Sequence, residues 1–128
     1  MDTQNDYKIL RVVLVIIGLL FIFALYPLTL FWPSGWAWHQ VGQNVYLQMI
    51  LGIYATLGVF LILAAKNPTQ HLSLIWFTVW SSVVHGFIMT LQALYYPNHF
   101  AHLYGDVPVL FLVAFVLAVL TPRNKKSE

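Results

Sequence analysis

The chain has 128 residues, of which 8% are charged and 60% hydrophobic, with six basic and four acidic side chains. Soluble domains carry about 25% charged residues, so this composition cannot clothe a water-facing surface, and most of the chain has to be solvated by lipid. One domain fits the length. The lack of cysteine excludes a disulfide framework, Fe–S clusters and thiolate metal sites. Six scattered basic residues make no basic groove for nucleic acid.

Met1–Tyr7 is short and polar. Lys8 and Arg11 then lead into an apolar run, Val12–Trp32. Signal-peptide cores are about 7–15 residues long, so this run is read as a retained transmembrane helix. Its length reaches roughly 31 Å, about one hydrocarbon core. Pro27 predicts a kink or an early end in its last third. Pro33–Asn44 reads as a loop whose neighbourhood holds Trp32, Trp36 and Trp38, an interfacial aromatic belt or, alternatively, a stacking surface. His39 in this loop is expected to be solvated.

Asn44 is a candidate N-cap for a second span over residues 45–65. That span carries Gly52, Ala55, Thr56 and Gly58, small residues that permit close helix contact. Asn67 followed by Pro68 reads as the cap and first position of the third helix, which places His71 in its first turn.

The third span, residues 72–95, is the most informative. On a helical wheel Ser81, Ser82, His85, Met89 and Gln92 all fall within about 60° of Thr78, a polar stripe along one face. Ionisable side chains inside spans usually face a bundle interior or a cavity, which singles out His85. It reads as a structural imidazole satisfied by Ser81, Ser82 or a neighbouring helix, as a ligand contact, or as a proton relay.

Tyr95, Tyr96 and Pro97 close this span. The loop Asn98–Gly105 holds His99 and His102. Asp106 is placed to cap a fourth span over residues 104–121, with Pro108 in the first turn and Pro122 ending it. His99, His102 and Asp106 also form a candidate metal set, because His/His/Asp suits Zn²⁺ or Cu²⁺.

The basic residues Lys8, Arg11, Lys66, Arg123, Lys125 and Lys126 fall at the termini and in the 2–3 loop. The positive-inside rule then puts both termini in the cytoplasm. The expected fold is an all-α integral membrane protein, an up-down bundle of four transmembrane helices in a bacterial inner membrane. Four short helices bury little, so a homo-oligomer or a larger membrane complex is expected. The favoured function is non-enzymatic: an accessory subunit, or a binder of an apolar molecule such as a lipid or quinone. The expected ligand-binding residues are Thr78, Ser81, Ser82, His85, Met89, Gln92 and Trp80. One alternative is a redox protein holding a metal ion or haem through His85 with His99, His102 or Asp106. Another is a small proton or solute transporter.

The runs NPTQHLSLIWFTVWSSVVHGFIMTLQA, HLYGDVPVLFLVA and TPR resemble a family of small bacterial four-helix membrane proteins of unknown function. The resemblance implies fold and location and no activity. On architecture alone the chain is also similar to DoxX-like membrane proteins.

Overall fold

The computed structural model of the chain describes residues 7–37 and 45–123. Trp38, His39 and the expected cap Asn44 lie outside them. The described residues are helical throughout their regular structure, in five α-helices. Helix α1 spans Lys8–Phe31, α2 is the short Pro33–Trp36, α3 is Val45–Ala64, α4 is Leu72–Tyr95 and α5 is Asp106–Leu120. A 3₁₀ stretch, Pro97–Leu103, leads into α5. The segments Lys8–Phe31, Val45–Ala64, Leu72–Tyr95 and Pro97–Leu120 are each long and apolar enough to cross a membrane.

Pro27 does not end α1. The helix passes through it after a π-helical turn at Leu20–Ala24. Proline offers no N–H to the carbonyl four residues back and its ring crowds that carbonyl. A widened turn just before it relieves the clash, and such π bulges recur at functional sites. The Asn67–Pro68 signal opens a separate 3₁₀ turn, Pro68–Gln70, in which Asn67 Oδ1 accepts from Thr69 Oγ1 at 3.0 Å. His71 is therefore the residue before α4, and it is exposed. Asp106 is likewise the first residue of α5, and Gly105 occupies the cap position. A carboxylate in a first helical turn still favours the positive end of the helix dipole.

Two antiparallel pairs, α1 with α3 and α4 with α5, make the most extensive packing between long helices. In the first pair Gly18 meets Gly58. A Cβ on either would stand 2.6 Å from the other's carbonyl oxygen, so neither position has room for a side chain. In the second pair Gly86 accommodates the ring of Phe111, whose nearest atom lies 3.1 Å from where a Cβ would sit.

The main apolar core lies on one side of the Gly18–Gly58 contact. It gathers Leu10, Leu14 and Ile17 of α1, Leu61 of α3, Ile75 and Val79 of α4, and Val113 and Leu117 of α5. Burying side chains of this size contributes about 1.5–3 kcal/mol each. Outside this core the bundle is covered by large apolar side chains, including Phe23, Phe31, Ile53, Phe77, Phe87 and Phe115. Phe31 is 86% exposed.

The glycine contact makes a sharp contrast testable. Gly18→Leu or Gly58→Leu should destabilise the bundle by about 1–3 kcal/mol or more, because the added atoms meet backbone. Gly52→Ala should cost nothing, since nothing lies within 4 Å of its Cβ position. Thermal unfolding in mild detergent checks both; equal melting temperatures for Gly58→Leu and Gly52→Ala would refute the close crossing.

Candidate functional site

The opposite half of the bundle is hollow. A cavity of about 440 Å³ is lined from all five helices. Phe21, Leu25 and Thr29 of α1 form one wall, and Leu47, Ile50, Leu51 and Tyr54 of α3 the next. His85, Ile88, Met89 and Gln92 come from α4, Asp106, Val109 and Leu110 from α5, and Trp36 from α2. Its size and mostly apolar wall with a few polar groups are those of small-molecule sites.

The local fold explains why these residues converge. The π turn at Leu20–Ala24 contains Phe21, and α1 resumes with Leu25. Phe21 packs edge-on to Tyr54, with centroids 5.1 Å apart. That contact roofs the packed core and floors the cavity. Above it α3 and α4 touch only sparingly, which leaves space between them. At the other end, Gly105 packs against the backbone of Gly35 so closely that a Cβ there would collide with it. This brings α2, with Trp36, against the start of α5.

Two polar pairs mark the cavity. Tyr54 Oη and His85 Nδ1 lie 2.5 Å apart, bonding α3 to α4. A tyrosine hydroxyl and an imidazole among apolar helices each need a partner, and each supplies the other's. His102 Nδ1 lies 2.9 Å from Asp106 Oδ1. With Asp106 ionised, the ring donates and the carboxylate accepts. His102 is 1% exposed and does not line the cavity, whereas Asp106 does. The carboxylate is thus presented to the cavity and held from behind by the imidazole. Trp36 Nε1 is buried with no hydrogen-bond partner among the described residues.

The stripe on α4 divides between the two halves. Thr78 and Ser82 are buried and do not line the cavity. The Thr78 hydroxyl donates to the Leu74 carbonyl at 3.0 Å, and Ser81 to the Thr78 carbonyl at 3.3 Å. Back-bonding to the same helix satisfies a hydroxyl without a partner helix. His85, Met89 and Gln92 line the cavity. Trp80 is 63% exposed and outside it, on the face opposite the stripe.

His99 lies near His102, with ring centroids 5.6 Å apart, but no group of three metal-ligating side chains forms among the described residues. Tyr54 was not among the residues expected at the site. Its signal was available: a phenol in the middle of an apolar span has to find a partner.

The chain belongs to a family of unknown function, DUF6632, whose model matches residues 4–126. No curated protein and no solved structure matches it. Nothing in these comparisons supports the DoxX-like similarity.

The Tyr54–His85 bond has a measurable signature. A double-mutant cycle with Tyr54→Phe and His85→Ala should give a coupling of about 0.5–1.5 kcal/mol. Additive losses of stability would show that the two side chains do not depend on each other.

Proposed function

We propose that this protein is a multi-pass membrane protein that holds an apolar molecule with a polar head in the cavity between its helices. The cavity itself carries the reading. It is large enough for a small amphiphile, its walls are chiefly aliphatic and aromatic, and its polar groups are few, among them the Tyr54–His85 pair and Asp106 bonded by His102. That is the balance a binding site uses: apolar walls provide the affinity and a few fixed polar atoms set orientation. A merely structural seam would have been filled by side chains, since interiors otherwise pack to crystal-like density.

Insertion in lipid is supported by the four long apolar helices and by their exposed Phe, Ile, Leu and Trp side chains. In water such a surface would drive aggregation; in hydrocarbon it costs nothing, while the helices satisfy their own backbone groups. The basic residues at the termini and beside Pro68 favour both termini in the cytoplasm. The cavity then opens in the outer half of the bilayer. Its compartment, the inner membrane of a bacterium, rests on the resemblance to small bacterial membrane proteins. An accessory role within a larger complex fits the same geometry, the bound molecule being shared with a partner.

Two measurements test these readings. The chain has no cysteine, so single introduced thiols report topology without background. Asn98→Cys should react with a membrane-impermeant maleimide in intact spheroplasts, and Lys66→Cys only after permeabilisation; the reverse pattern overturns the orientation. For the cavity, mass spectrometry of the purified protein should find a co-purifying amphiphile near one equivalent. Leu51→Trp, which fills the space, should remove it while the bundle still folds. A protein that carries none, or a variant that retains it, counts against the binding role.

A further inference from the structure

We infer that the cavity selects a hydrophobic cation, a quaternary ammonium, phosphonium or protonated amine on an apolar body. The inference rests on the binding role proposed above and goes on to specify the charge of the ligand. Three observations carry it.

The first is the charge of the lining. Among the described lining residues Asp106 is the one acidic side chain, His85 is the one imidazole, and no lysine or arginine is present. An anionic head entering this space would meet a carboxylate in surroundings of low dielectric, where like charges repel strongly and water is not at hand to screen them. A cation meets an opposite charge instead.

The second is the way the carboxylate is held. His102 Nδ1 bonds Asp106 Oδ1 from behind the wall, and both residues are buried. The ring fixes the orientation of the carboxylate, and the start of α5 favours its negative charge. The carboxyl group is thus fixed at the cavity wall by an imidazole that does not itself line the cavity.

The third is the aromatic content. Phe21, Trp36, Tyr46 and Tyr54 line the same space. The face of an aromatic ring attracts cations through its quadrupole, and aromatic cages are a recurrent solution for quaternary ammonium groups. Carboxylate and aromatic faces together favour a cation whose charge is spread over an apolar surface. A compact, strongly hydrated metal ion would want several oxygen ligands, and no such group of acidic and histidine side chains converges among the described residues.

The test uses two ions of matched shape and opposite charge, tetraphenylphosphonium and tetraphenylborate. The purified full-length protein is placed in zwitterionic lipid nanodiscs, and binding is corrected for partition into empty discs. The cation should bind the protein at least about tenfold more tightly than the anion. Asp106→Asn, which keeps the size of the side chain and an acceptor for His102, should remove the preference, and Asp106→Glu should keep most of it. Melting temperatures of both variants establish that they fold. If the two ions bind alike, or if the preference survives in a folded Asp106→Asn protein, the inference is wrong.

The Leu51→Trp variant separates this failure from that of the binding role. Ions that bind without preference, and are both lost in Leu51→Trp, leave the cavity as a site and overturn only its charge selectivity. If neither ion binds wild type and no amphiphile co-purifies, both readings fall.

Discussion

The contact between Gly18 and Gly58 sets the rest of this structure. Two helices approach until backbone meets backbone, and no side chain can intervene. Close approach of this kind is how helices associate where lipid removes the hydrophobic drive between them, because dispersion forces act only at short range. On one side of the contact, leucines, valines and isoleucines from all four long helices fill the space. On the other, Phe21 and Tyr54 stack edge to face, and the space above them stays open.

The division between a filled half and a hollow half explains the placement of polar groups. In the filled half, the Thr78 and Ser81 hydroxyls bond back to their own helix, so helix packing does not depend on them. In the hollow half, His85 reaches across to Tyr54. This bond links α3 to α4 where their packing is sparse, so the pair bridges a gap that apolar contacts do not close. The π turn before Pro27 belongs to the same half. It allows α1 to continue past a proline and carry Leu25 and Thr29 to the cavity wall.

The two ends of the cavity differ chemically. Near its floor is a phenol–imidazole pair; at the start of α5 is a carboxyl group braced by a buried histidine. The tight fit of Gly105 against Gly35 fixes the second end, because it docks the α2 turn beside Asp106. Trp36 thereby joins a cavity otherwise made by the long helices. An amphiphile in this space would meet a different polar group at each end, with aliphatic walls between.

The sequence alone determined the four apolar segments, the boundaries of α4 at Leu72 and Tyr95, and the common face of Thr78, Ser82, His85 and Met89. Length, hydropathy and helical periodicity are local properties, and a chain displays them before it folds. The cap assignments at Asn67 and Asp106 missed by a turn or a residue, because short 3₁₀ turns compete with helix starts over a few backbone bonds. Only the tertiary structure decided that His85 pairs with Tyr54, that Asp106 lines the cavity while His102 stands behind it, and that the His99 ring lies beside that of His102. Those outcomes depend on how each helix is rotated about its axis and which helix it faces. That rotation is fixed by contacts far apart in sequence, Gly18 with Gly58 and Gly35 with Gly105, which no local pattern records.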